Sequence, residues 1–116
     1  MITGMKNVVV FVRDFARAQH FYKELLRLPL VQESTAIMEF FPGGPTLGVS
    51  LAMHEAAYPL VGRHTGITLR VTDIEAFCAA LSEAGASFAE PLEKTPWGKM
   101  AVVSDPDGNQ FALVEG

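Results

Sequence analysis

The strongest constraint on this chain is that it repeats itself. Lys6–Val12, KNVVVFV, is dense in β-branched and aromatic side chains and predicts a strand. Asp14 follows as an N-cap, because its carboxylate can accept from the free first-turn amides. Phe15, Ala18, Tyr22, Leu25 and Leu26 then recur at helical spacing, predicting an amphipathic helix over Phe15–Arg27 that Pro29 stops. The same order returns half a chain later. His64–Val71, HTGITLRV, predicts a second strand, and Thr72-Asp73-Ile74-Glu75 predicts a capping box with Thr72 as cap and Glu75 reaching back. Ile74, Phe77, Cys78 and Leu81 form an apolar stripe, and Gly85 suits the C′ position. Val8, Val10, Val12, Asp14 and Phe15 align with Ile67, Leu69, Val71, Asp73 and Ile74 at one constant offset, close to half of the 116 residues. The chain therefore holds two copies of one supersecondary unit.

Each helix is followed by three strand-like runs. In the first half these are Leu30–Glu33, Ala36–Phe41 and Thr46–Met53, with Pro42-Gly43-Gly44-Pro45 as a turn. In the second they are Ser87–Pro91, Lys99–Ser104 and Asn109–Glu115, with Asp105-Pro106-Asp107-Gly108 suited to a type I turn. The expected fold class is α+β: two tandem βαβββ modules, with curved mixed sheets around a cleft and helices outside. One domain is expected over 1–116, with module one at about 5–53, a linker at about 54–63 and module two at about 64–116.

Composition narrows the function classes. Hydrophobic content of 49% supplies a core for one domain. The net charge is −4 and no basic cluster occurs, so no nucleic-acid partner is expected. No apolar run approaches bilayer length, so no membrane partner is expected either. The N-terminal MITGMKNVVVF lacks the parts of a secretory signal, and the single Cys78 cannot form an intramolecular disulfide. Both fit a reducing cytoplasm.

The segments FVRDFARAQHFYKELL (Phe11–Leu26), LRVTDIEAFCAALSEAG (Leu69–Gly85) and TPWGKMAVVSDPDGNQFALVE (Thr95–Glu115) resemble the vicinal oxygen chelate superfamily. That family includes glyoxalase I, extradiol dioxygenases, fosfomycin-resistance enzymes and bleomycin-binding proteins. The resemblance covers nearly the whole chain and implies a bacterial-type protein in which two modules enclose a cleft. Its metal-dependent members place a His on the first strand and a Glu on the last strand of each module, leaving open positions for a chelating substrate. Here the first-strand positions fall on Asn7 and Gly66, and the last-strand position of module two falls on Ala112. The remaining position falls most simply on Ser50. None is a strong ligand, so the resemblance implies a dismantled metal site and no cofactor.

Alternation limits what else could face the cleft. Phe111 and Leu113 are expected against the helix, which puts Gln110, Ala112 and Val114 on the inner face and Glu115 off it. Val9, Phe11, Thr68 and Arg70 join the inner set. Arg70 needs Glu39, Asp73 or a bound anion as partner if it is buried, and reaches solvent otherwise. Glu39 and Phe40 point to opposite faces, and the pattern leaves open which one faces in. Phe40 is counted in the lining set, as is Trp97, whose alternative is to anchor a loop on the rim. His20 belongs to the polar face of the first helix. Cys78, between Phe77 and Leu81, reads as a core thiol rather than a nucleophile.

These residues predict a metal-free protein that holds a small organic ligand in the cleft, as bleomycin-resistance proteins do. One alternative is a metal-dependent lyase, isomerase or dioxygenase using displaced ligands, His54 and His64, with a divalent metal as cofactor. Another is a metal-free catalyst with Glu39 as its acid–base group. The resemblance also implies a homodimer, and leaves open whether modules pair within or across chains.

Overall fold

In the first repeat, alternation assigns one row of each strand to a helix and the other row away from it. The strand β1 (Asn7–Val12) buries Val10 and Val12, while Asn7 stays exposed and Val9 and Phe11 half-buried. After it come a short helix α1 (Phe15–Gln19) and three strands, β2 (Leu30–Glu33), β3 (Ile37–Phe40) and β4 (Thr46–Leu51). The strands order as β1-β4-β3-β2, with β1 and β4 parallel and the rest antiparallel. The second repeat has β5 (His64–Val71), α2 (Ile74–Glu83), β6 (Ser87–Thr95), β7 (Gly98–Ser104) and β8 (Gln110–Glu115), ordered β5-β8-β7-β6 with the same directions. The chain is thus an α+β protein of two βαβββ modules. The computed structural model describes residues 1–116 as two units, Met1–Val61 and Gly62–Gly116. No helix is long and apolar enough to cross a membrane.

In the first unit the core is aromatic. Asp14 caps α1 as expected, its Oδ1 accepting from the Arg17 N–H at 3.1 Å. The predicted helix to Arg27 does not stay α-helical. It becomes a π-helical segment over His20–Leu25, with the Leu26 N–H donating to the Phe21 carbonyl five residues back. The wider turn brings Phe21 inward beside Tyr22; both are buried, edge to face at 5.0 Å. Tyr22 lies 6.2 Å from Phe40, and Met38 and Val49 fill the same layer with no exposure. Each such side chain stabilises by about 1.5–3 kcal/mol on burial.

In the second unit Ile74, Cys78 and Leu81 of α2 are buried, as are Val103, Phe111 and Leu113 of the sheet, and α2 packs on β6 and β8. The capping box does not form. Asp73 is the N-cap, at φ 50°, without a side-chain cap bond, and Glu75 instead pairs with Lys99 of β7. β6 runs past Pro91 to Thr95, longer than expected. It is the sheet's outer strand, where a missing N–H costs no ladder bond, and its register shifts between Glu90 and Glu93.

The DPDG turn forms, with the Gly108 N–H donating to the Asp105 carbonyl at 3.0 Å. Its side chains build a buried polar knot. Asp105 Oδ1 accepts from the N–H groups of Asp107 and Asn109 at 2.9 and 2.8 Å, and Oδ2 accepts from Asn109 Nδ2 at 2.9 Å. Asn109, with no exposure, accepts from the Gly62 and Arg63 N–H groups at 3.0 and 3.4 Å. The turn therefore fixes the start of its own module.

Candidate ligand-binding site

Each sheet has a helix face and a far face, and strand pairing decides which residues share the latter. In the first unit Val9, Gly48, Glu39 and Gln32 lie in one row across β1, β4, β3 and β2. Phe11, Ser50 and Ile37 form the next row, and Asn7 pairs with Thr46 before it. The sequence left Glu39 and Phe40 undecided. Glu39 takes the far face, half-buried, while Phe40 is fully buried on the helix face, so the placement of Phe40 in the lining set is corrected.

Glu39 is held by both oxygens. Gln32 Nε2 donates to Oε1 and Thr46 Oγ1 to Oε2, each at 2.6 Å. The Thr46 bond first, then the Gln32 bond, hold its carboxyl below the ordinary carboxylate range; Lys6 adds charge and desolvation opposes them. Such a group stays ionised near neutrality and is poorly matched to general acid–base work there. That weighs against a Glu39-based catalyst.

In the second unit the equivalent row is Thr68, Ala112, Val102 and Glu90. Arg70 pairs with Val114, and Gln110 with Ser104. Arg70 is exposed and takes part in neither the Lys23–Glu33 nor the Lys99–Glu75 pair, which fits the expectation that it reaches solvent. Trp97 stands on the β6–β7 turn, 93% exposed, neither on the far face nor anchoring a loop. Glu115 pairs with Val71 on the helix side, where its charge adds to the field on Lys99.

The repeat registers the four family metal positions more sharply than the sequence did. Ala112 pairs with Thr68, whose repeat partner is Val9, and Val9 pairs with Gly48. The fourth position is therefore Gly48, one alternation before Ser50. The set becomes Asn7, Gly48, Gly66 and Ala112: one neutral amide and three residues with no donor side chain. This set does not fit a divalent ion. Gly66 departs in backbone as well. It sits at φ 75° where the β5–β8 register shifts, and its N–H donates to His64 Nδ1 at 3.0 Å. His54 lies in the turn after β4, exposed, its carbonyl accepting from Ala57 and Tyr58. His54 and His64 belong to different units, and no group of three or more His, Cys, Asp or Glu converges anywhere in the chain. Cys78 is 6% exposed and burial pushes its thiol up, the setting of an inert core cysteine.

Residues 4–113 match the Glyoxalase/Bleomycin resistance protein/Dioxygenase superfamily. A crystal structure of a member of that superfamily from Sphaerobacter thermophilus is similar over 100% of this chain and 99% of its own, at 33% identity and TM-score 0.77. TnmS3, an antibiotic binding protein from Streptomyces sp., is 31% identical over 98% of this chain and 96% of its own, with TM-score 0.76. The metallothiol transferase FosB of Staphylococcus saprophyticus is 25% identical over 100% of this chain and 79% of its own.

Proposed function

Because the chain belongs to the Glyoxalase/Bleomycin resistance protein/Dioxygenase superfamily, we propose that it is a metal-free binding protein for a small organic ligand. The observation that carries this reading is the register-equivalent set Asn7, Gly48, Gly66 and Ala112, which offers no anionic or imidazole ligand. Where a metal-dependent relative has ion and ligands, this chain has small residues among apolar ones, the composition of a small-molecule site. Its 31% identity to an antibiotic binding protein supports the same class. The chain acts as a homodimer in the cytoplasm, which light scattering and fractionation test.

Ligand binding to the native state raises the melting temperature by mass action. A tight ligand at a hundredfold excess over Kd stabilises by about 2.7 kcal/mol, a rise on the order of 10 °C for a small domain. A thermal-shift screen of aromatic antibiotics and metabolites on EDTA-dialysed protein is expected to find such ligands. A flat screen counts against the reading.

The 25% identity to a metallothiol transferase keeps a second reading in view, a metal-dependent enzyme ligated through His54 and His64. Elemental analysis separates the two. Stoichiometric metal that survives dialysis and disappears in His54→Ala and His64→Ala would replace the first reading with the second.

A further inference from the structure

We infer that the far face of the first unit takes an apolar ligand that carries a positive charge, with Glu39 selecting the charge. This rests on the binding reading above and names its ligand class.

The row Val9–Gly48–Glu39–Gln32 places a carboxylate beside a residue with no side chain. A Cβ at Gly48 would meet Val9 Cγ2 at 3.4 Å, and Gly48 is itself buried, so the Val9 side chain covers the backbone beside Glu39 with apolar surface. Phe11 and Val9 on one flank are half-buried, and Ile37 on the other is 48% exposed. These are accessible apolar surfaces around a fixed charge.

The carboxylate is positioned but not neutralised. Thr46 and Gln32 each satisfy one oxygen with a neutral donor, and Glu39 takes part in neither the Lys23–Glu33 nor the Lys99–Glu75 ion pair. A carboxylate offers about four acceptor sites, so capacity remains for a charged donor. The hydrogen bonds hold the side chain across the face before any ligand arrives, which spares rotamer entropy on binding. An anion placed there would meet like charge; Lys6, whose field reaches Glu39, lies outside the row and weakens that repulsion without pairing with the carboxylate. The second unit's equivalent position is Val102, so it does not duplicate this feature.

Fluorescence titration of the full chain with two planar three-ring probes tests the inference: proflavine as the cation and anthracene carboxylate as the anion. Proflavine is expected to bind about tenfold more tightly, ~1.4 kcal/mol, and to weaken as salt rises. Glu39→Gln, which keeps one oxygen for Thr46 and meets Gln32 with an amide that pairs once the Gln32 amide turns its oxygen inward, is expected to remove most of that preference with only a small change in melting temperature. Glu55→Gln, in an exposed turn, is expected to leave it intact. Amide NMR shifts on adding proflavine to the unaltered protein are expected at Val9, Phe11 and Gly48. Equal affinity for both probes overturns charge selection while leaving the binding reading standing. Binding of neither probe, together with a flat ligand screen, overturns both. Shifts confined to Thr68 and Val102 overturn the placement.

Discussion

The two units build the same sheet and differ most on the face the helix does not cover. Across the first, one row reads Val9, Gly48, Glu39, Gln32; across the second, the equivalent row reads Thr68, Ala112, Val102, Glu90. The carboxylate has moved from the third strand to the edge. The helix faces vary under a tighter rule. Phe40 pairs with Leu47 in the first unit, and Val103 with Phe111 in the second, all at most 5% exposed. The aromatic has changed strand, but each pair still holds one aromatic and one aliphatic side chain. Close packing conserves volume on the helix face. Nothing of the kind binds the far face, which is free to diverge toward function.

The largest expected effects test that packing rule. Phe40→Ala and Phe111→Ala should each cost about 3–5 kcal/mol by urea denaturation, through lost burial and a residual cavity. Writing the second unit's pair into the first, Phe40→Val with Leu47→Phe, should cost less than about 1.5 kcal/mol if volume is what the repeat preserves. A double variant as unstable as Phe40→Ala would break the comparison, showing that the π-helical segment around Tyr22 demands the ring on β3.

Next in size is the polar knot, which only the second unit has. Asn109→Ala removes acceptors from the Gly62 and Arg63 N–H groups and a donor from Asp105. It should cost about 2–4 kcal/mol, because buried partners are left unsatisfied. The first unit makes the corresponding turn with Pro42-Gly43-Gly44-Pro45, all exposed, and Gly44→Ala there should be near neutral. Equal losses in the two turns would mean that the knot contributes nothing special.

The sequence carried the architecture because a constant offset and apolar alternation survive without any structure. The Asp14 cap, the Asp105–Gly108 turn and the burial of Phe111 and Leu113 were legible for the same local reasons. What escaped it was non-local. Thr46, Gly48 and Ser50 share one parity, so only pairing across strands could choose Gly48 over Ser50. AIMEFF holds apolar residues on both faces, so parity could not separate Glu39 from Phe40. The capping box is absent because the helix starts one residue later, with Asp73 as N-cap, while Glu75 meets Lys99 far along the chain; Trp97 was unreadable because turns leave no periodic trace. The Asn109 contact with Gly62 spans 47 residues with no local signal beyond the asparagine after a turn.

Glycines sharpen the comparison at smaller scale. Gly62 has φ 78° and an added Cβ would lie 2.8 Å from the Asp107 carbonyl oxygen, so Gly62→Ala adds a clash to backbone strain. About 2–4 kcal/mol is expected. Gly43 and Gly66, at φ 92° and 75°, meet nothing within 4 Å. Their alanine variants should cost about 1–2 kcal/mol, the left-handed penalty alone. A Gly66→Ala variant as stable as the parent would show that the β5 bulge relaxes, and would reopen that position to a histidine ligand.

The smallest effect concerns acid stability and again sets one unit against the other. In the first unit Glu33 accepts from Lys23 and Gln19, and those bonds, with Lys23 leading, hold its carboxyl below the ordinary range. In the second, Lys99 does the same for Glu75. A carboxyl whose folded pKa lies below its unfolded value binds fewer protons when folded. Its stabilisation is present above the unfolded pKa and is lost as pH falls through the folded one. Stability should therefore decline on the acid side of the carboxylate range. Glu33→Gln and Glu75→Gln should each flatten that decline slightly, and both effects should shrink in high salt because the pairs are at the surface. Glu33 has two side-chain donors against one for Glu75, so Glu33→Gln should flatten the limb more. Melting temperatures against pH for the two variants decide it, and a larger effect from Glu75→Gln would reverse the ranking of the two units.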